Sequence, residues 1–319
     1  MKIAILDDYQ DAVRQLRCFE LLRGLDVKVF HHSARGTGQL AIRLAPFDVL
    51  VLIRERTRLD RALLSRLPNL KLVCQTGRFG PHVDVDAARE RGIELVEGIG
   101  DPVSTAELTW ALVLAGSRRL FDYAGLLRQG LWQASAITPA RNTLGRVVNG
   151  RCLGLWGYGR IGQRVARYAQ AFGMQVMVWG SEASRLRAQA DGLVAASSRE
   201  QLFTESDVLT LHLRLSDSTR GLIGADDLAR MKPDALLVNT SRAELIAPGA
   251  LAAALQQGRP GAAAIDVFET EPLPPTDPLL QLDNLIATPH LGYVEQDSYE
   301  MYFQPLFEAI AARAVKEAP

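Results

Sequence analysis

Residues 151–162 read RCLGLWGYGRIG, and QRVARYAQAFG follows directly. A short apolar run enters three spaced glycines, Gly157, Gly159 and Gly162, and leaves into a helical pattern. That strand–turn–helix order predicts a dinucleotide-binding crossover. Gly157 permits the tight turn, Gly159 lets the backbone approach a pyrophosphate, and Gly162 lets helix and strand pack closely. The helix start then presents free N–H groups and a partial positive charge to phosphate. Tyr158, Arg160 and Ile161 fill the turn and are expected cofactor contacts as well.

Outward from this turn the same rhythm repeats. Apolar runs at Lys2–Leu6, Val27–Phe30, Val49–Ile53, Leu70–Cys74 and Ile93–Val96 precede a long helical stretch over 104–127. A second series follows at Cys152–Trp156, Gln175–Trp179, Val208–Leu211, Ala235–Val238, Ala262–Ile265 and Asn284–Ala287. Continuous apolar strands alternating with helices indicate parallel sheets covered on both faces. The expected fold class is α/β with two doubly wound parallel-sheet domains, flavodoxin-like and Rossmann, and a cleft between them. The expected domains are 1–102 plus 291–319 for substrate and 103–290 for the cofactor, with the last helix, about 294–315, returning to the first domain.

A chain of 319 residues is long enough for two such cores. Lys plus Arg equals Asp plus Glu at 36 each, which gives no support for a nucleic-acid or membrane partner. Cys18, Cys74 and Cys152 lack metal-ligand spacing and read as small buried hydrophobes. The N-terminal MKIAILDDYQ reads as a strand rather than a signal peptide, and a cytoplasmic setting is the expectation.

The strand MQVMVWG ends at Gly180, where NAD sites usually carry a carboxylate for the ribose 2′-hydroxyl. Ser181, Arg185 and Arg187 offer partners for a 2′-phosphate, whereas Glu182 offers an acceptor to the ribose. These residues leave NAD and NADP both open.

Three further motifs fall at or near strand ends: LLVNTSRAELI (236–246), AIDVFETEPLP (264–274) and ATPHLGY (287–293). With the glycine turn, HLRLSDSTRGLI (212–223) and STAELTWALVLA (104–115), they resemble the D-isomer-specific 2-hydroxyacid dehydrogenases, of the phosphoglycerate dehydrogenase-like or glyoxylate/hydroxypyruvate reductase-like kind. The resemblance implies reversible hydride transfer between NAD(P)H and a 2-oxo acid. It implies that Arg242 binds the substrate's carboxylate and 2-oxo oxygen, that His290 is the general acid/base, and that Glu271 hydrogen-bonds His290. A guanidinium forks onto a carboxylate, and histidine titrates near working pH; a neighbouring carboxylate favours its charged form. It also implies cofactor contacts at Gly180, Ser181, Arg185, His212, Leu213, Thr219 and Thr240, with Asp266 on the nicotinamide side and His212 a structural support.

The first domain's loop QTGRFGPHVD (75–84) departs from the family's SxGxGxD pattern at Phe79 and Pro81. Gly77 and Arg78 are expected to bind substrate, and Arg78 hints at a second anionic group. Arg214 stands where a proline is common and Tyr293 where a small residue is usual, so no one substrate is carried over. The length leaves little room for the regulatory domain of some phosphoglycerate dehydrogenases. The resemblance implies a homodimer with an arm over 116–150. Some corepressors also resemble the family, so a catalytically weak NAD(H)-binding protein is the alternative; Glu271 stands where formate-oxidising members usually have glutamine.

Overall fold

The four-residue runs VLVL (49–52), LVCQ (72–75), VLTL (208–211) and LLVN (236–239) are buried at every position. Strands with no solvent face must sit inside a sheet covered on both sides, and parallel pairing with helical crossovers provides that cover. The computed structural model describes residues 1–34, 36–133 and 144–317 and divides the chain into two compact units, Met1–Asp101 with Val294–Pro319, and Pro102–Tyr293.

The first unit runs β1 (Lys2–Ile5), β2 (Asp26–Val29), α1 (Thr37–Leu44), β3 (Val49–Leu52), α2 (Arg61–Leu64), β4 (Leu72–Gln75), α3 (Val85–Glu90) and β5 (Glu94–Glu97). Its sheet has the all-parallel order β2-β1-β3-β4-β5. The second unit begins with α4 (Pro102–Arg118) and α5 (Leu120–Arg128), then β6 (Cys152–Trp156), α6 (Arg160–Ala171), β7 (Gln175–Trp179), α7 (Glu182–Ala190) and β8 (Val194–Ala195). It continues through α8 (Arg199–Glu205), β9 (Val208–Leu211), α9 (Ala225–Arg230), β10 (Leu236–Asn239), α10 (Ala250–Gln256), β11 (Ala262–Ile265) and β12 (Leu285–Ala287). The sheet order is β12-β11-β10-β9-β6-β7-β8, again parallel throughout. The last helix, α11 (Gln296–Glu317), belongs to the first unit, where Glu300 accepts from the Arg17 and Cys18 N–H groups at 2.6 and 3.1 Å.

Two features differ from the sequence reading. The second sheet gains β8, a two-residue strand whose Val194 is 58% exposed, so it carries no apolar run to detect. The single helix expected over 104–127 starts at Pro102 and breaks at Arg119, whose φ of 53° is left-handed. Residues 134–143 of the expected arm lie outside the described residues.

Each sheet has a switch point where the chain reverses its direction of winding. In the second unit, β6 continues to β7 and β8 on one side and the chain returns to β9 on the other. The carboxyl ends of β6 and β9 therefore diverge there, leaving the crevice in which open α/β sheets hold ligands. In the second unit Trp156 and Phe203 pack edge to face at 5.7 Å, and Trp110 of α4 meets Phe172 at 5.0 Å. The three cysteines are free, Cys18 and Cys74 buried and Cys152 partly so. Among the described residues no helix is long and apolar enough to cross a membrane.

Candidate active site

The glycine turn leaves β6 at this switch point. Gly157 has φ +103°, and a Cβ there would lie 2.5 Å from the His212 carbonyl oxygen; one on Gly162 would collide with the Gly157 carbonyl. Both positions exclude any side chain. Gly159, by contrast, would place a Cβ in open space, and it stands at the N-cap of α6 with no side-chain cap. The first-turn N–H groups of a helix have no intrahelical partner, so α6 presents them beside an open glycine face. That arrangement fits a pyrophosphate.

The expected cofactor residues around the turn fall into different environments. Arg160 is exposed and Ile161 packs on the core at the start of α6. The Tyr158 side chain is turned into the core, where its hydroxyl donates to Asp191 at 2.8 Å, so only its backbone faces the turn. Burial and that carboxylate push the Tyr158 phenol up to about 12. Gly180 follows β7, Ser181 Oγ accepts from the Ser184 N–H at 3.3 Å to cap α7, and the Arg185 guanidinium lies 4.6 Å from the Trp179 ring centre.

Leu213 packs against Gly157. His212 Nε2 lies 3.1 Å from Thr210 Oγ1 and Nδ1 is buried with no hydrogen-bond partner among the described residues; burial pushes the imidazole down to about 4, so it is neutral at pH 7. Thr219 is held in its own turn, donating to the Arg214 carbonyl at 2.8 Å and accepting from the Ser216 N–H at 2.8 Å. Thr240 is buried with its hydroxyl 2.7 Å from that of Thr109 on α4.

The carboxyl ends of β10, β11 and β12 carry Arg242, Glu271 and His290, all in the second unit. His290 Nδ1 lies 2.6 Å from Glu271 Oε2, while Glu271 Oε1 accepts from the Phe268 N–H at 2.9 Å. Burial would raise the Glu271 carboxyl. Its bond to His290, the charge there, the Phe268 N–H and the Arg242 guanidinium together hold it below the usual glutamate range. Arg242 is half-buried; its Nη1 donates to the Ser241 carbonyl at 2.7 Å, and Asn239 Nδ2 donates to the Arg242 carbonyl at 2.9 Å.

His290 has φ +53°, a left-handed conformation costing an ordinary residue about 1–3 kcal/mol. Asp266 offsets that cost. It is fully buried, and its carboxylate accepts from Thr288 Oγ1, the Leu291 N–H and the Gly292 N–H at 2.7, 2.7 and 2.8 Å. Thr105 Oγ1 adds a bond to the Gly292 carbonyl at 2.9 Å, and Tyr293 sets its ring edge to face with His290 at 5.5 Å. Burial raises the Asp266 carboxyl, with its three donors and the His290 charge opposing. Asp266, which the resemblance puts on the nicotinamide side of the cofactor, has its carboxylate engaged as the clamp of the His290 turn. Two of its three donors are backbone N–H groups, which no side-chain pattern announces. Nor was Tyr293, read only as a departure, recognisable as a wall for the imidazole.

In the first unit, Gly77 follows β4 with φ +91°, and a Cβ there would fall on the Arg54 guanidinium. Arg78 beside it is exposed.

With this geometry in place, the comparisons with known proteins are specific. Residues 110–292 match the family model of the D-isomer-specific 2-hydroxyacid dehydrogenase NAD-binding domain. The glyoxylate reductase of Aeropyrum pernix is 40% identical over 243 residues, 76% of this chain and 72% of that protein. The D-3-phosphoglycerate dehydrogenase of Methanocaldococcus jannaschii is 37% identical over 80% of this chain, which spans only 47% of that longer protein. Among solved structures, a phosphoglycerate oxidoreductase from Vibrio cholerae superposes with a TM-score of 0.94 at 51% identity, covering 99% of both chains. The chain belongs to the D-isomer-specific 2-hydroxyacid dehydrogenase family. It is an NAD(P)-dependent oxidoreductase acting on CH–OH and 2-oxo groups.

Because the Glu271 carboxyl is depressed in the folded chain, the unfolded chain takes up its proton first as pH falls. The stability it contributes is complete above about pH 4.3 and disappears as pH drops through the lower folded value. Asp266, shifted the other way, acts with opposite sign, so the comparison is between variants. Thermal melting from pH 7 to 3 should show Glu271→Gln with a shallower acid loss than the unsubstituted chain; parallel curves would remove the inferred coupling.

Proposed function

We propose that this chain reduces a 2-oxo acid to the D-2-hydroxy acid with His290 as the acid/base. The observation that carries this is the 2.6 Å His290–Glu271 pair with Arg242 acting on the same carboxylate. The nicotinamide supplies the hydride when the cofactor is bound. Glu271 occupies Nδ1 of His290, which leaves Nε2 to donate its proton to the oxygen forming at the substrate's C2. Arg242 grips the substrate carboxylate and polarises the neighbouring oxo group through charge-assisted bonds. Asp266 keeps the imidazole from swinging away, so orientation rather than new chemistry is its contribution. In the first unit, Gly77 and Arg78 are the proposed substrate contacts.

NADPH is the proposed cofactor. Gly180 rather than a carboxylate follows β7, Glu182 comes only at the start of α7, and the Ser181 hydroxyl and Arg185, stacked on Trp179, supply a donor and a cation for a 2′-phosphate. A homodimer is proposed from apolar side chains left in water after α4: Phe121, Leu127, Trp132 and Leu144 are 55%, 53%, 76% and 75% exposed. Large apolar side chains exposed along one segment are what a second copy of the chain would cover.

His290→Ala should lower kcat by about 10²–10⁴-fold while cofactor affinity stays nearly constant. Absorbance loss from NADH or NADPH with glyoxylate, hydroxypyruvate, pyruvate, phenylpyruvate and 2-oxoglutarate is the readout. Undiminished turnover in the variant would overturn the role, and cofactor binding without turnover on any acid would favour a corepressor-like protein. In the same assay kcat/KM should be higher with NADPH, and Arg185→Ala should erase most of that margin; a preference for NADH refutes the assignment. Light scattering should give twice the 35.0 kDa chain mass, and Trp132→Glu with Phe121→Glu should shift it toward one; a monomer in the unsubstituted protein refutes the dimer.

A further inference from the structure

The five-stranded sheet has its own switch point, at the carboxyl ends of β1 and β3. The turn leaving β1 there reads DDYQD, residues 7–11, and its charges are not treated alike. The Asp7 carboxylate is buried but satisfied: Ser33 Oγ donates to Oδ1 at 2.9 Å and Thr57 Oγ1 to Oδ2, while Arg56 donates to the Asp7 carbonyl at 2.7 Å. Asp8 is different. Its side chain is fully buried, Oδ2 accepts from the Val13 N–H at 2.9 Å, and Oδ1 has no hydrogen-bond partner among the described residues. A buried carboxylate oxygen without a donor is costly, so something must compensate it.

Beside Asp8 stand Asp11 and His31, the latter just past β2. One ligand atom from each of the three lies within 4.8 Å of the other two. His31 Nδ1 is 3.6 Å from Asp11 Oδ1 and 3.2 Å from the Asp8 carbonyl. The Asp11 and His31 side chains are 67% and 39% exposed, so they form an open mouth above the buried carboxylate.

We propose that Asp8, Asp11 and His31 bind one divalent transition-metal ion of the zinc type. Two carboxylates with one imidazole are a hard and borderline donor set, which suits zinc better than the all-oxygen sites of magnesium or calcium. Zinc–ligand bonds of about 2.0–2.2 Å need the three atoms closer than they stand, a closure of about 1 Å that exposed Asp11 and His31 can supply. The ion meets the bare oxygen of Asp8, and it ties the end of β1 to the end of β2. Its role is structural, in the unit that lacks the glycine turn, and none of its ligands is among the residues proposed for catalysis.

The full chain, stripped with EDTA and titrated with zinc chloride by calorimetry, should bind one ion through this site and melt higher by roughly 4 °C at saturation. Magnesium should produce neither effect. Asp11→Asn and His31→Ala, both exposed, keep the fold and should each weaken zinc by at least about tenfold. Asp8→Asn retains an acceptor for Val13 and should raise the metal-free melting temperature while losing the response. His290→Ala guards against chelation by the Glu271–His290 pair and should bind zinc as the unsubstituted chain does. Absence of zinc binding, binding that survives His31→Ala, binding lost in His290→Ala, or an equal response to magnesium would each overturn the site.

Discussion

Parallel pairing is the constraint on which the rest of this molecule depends. When every strand of a sheet runs the same way, all the carboxyl ends share one edge, and each must be followed by a crossover that starts there. In the seven-stranded sheet that edge collects Gly157 after β6, Gly180 after β7, His212 after β9, Arg242 after β10, Asp266 after β11 and His290 after β12. Residues separated by more than a hundred positions become neighbours because the hydrogen-bond ladder leaves no other place for the loops. The placement of these residues is thus a consequence of the topology, set by strands whose own side chains are only Val, Leu, Ile and Ala for much of their length.

On that edge the two acids nearest the imidazole are driven apart by their surroundings. Glu271 is held ionised by His290, the Phe268 N–H and the Arg242 charge, despite the burial that opposes them. Asp266, deeper, is shifted up by burial although three donors converge on it. Their tasks differ accordingly: Glu271 fixes one ring nitrogen, and Asp266 fixes the backbone that carries the ring. A left-handed histidine would relax if the Leu291 and Gly292 N–H groups lost their acceptor. Backbone strain here is the counterpart of a buried, fully hydrogen-bonded carboxylate.

The legible part of the fold was the part with burial on both faces. The runs at Val49–Ile53, Leu70–Cys74, Val208–Leu211 and Ala235–Val238 show no alternation because no strand face meets water, and each corresponds to a strand. By contrast β8 is half in solvent and two residues long, and the kink at Arg119 turns on one left-handed arginine that no propensity signals. The candidate site divides similarly. Gly157 and Gly162 were readable because excluded Cβ atoms leave glycine as the sole option, whereas Arg242, Glu271 and His290 were singled out through motifs that resemble the family's, and the structure sets Glu271 against His290. What Asp266 touches was not readable, since its partners are mostly main-chain donors presented by a turn. Nor did the sequence reveal that Tyr158 turns inward to Asp191 and lends the cofactor turn only its backbone.

His212 and His290 show how much the edge itself decides. Both follow strands of one sheet, and both sit at a carboxyl end. The His212 ring has one hydroxyl partner among the described residues, and desolvation keeps its imidazole neutral. His290 stands at the rim, partly exposed, with a carboxylate on one nitrogen. Water and a counter-charge are what the second has and the first lacks. Depth below the sheet edge, rather than residue type, is what separates the two imidazoles.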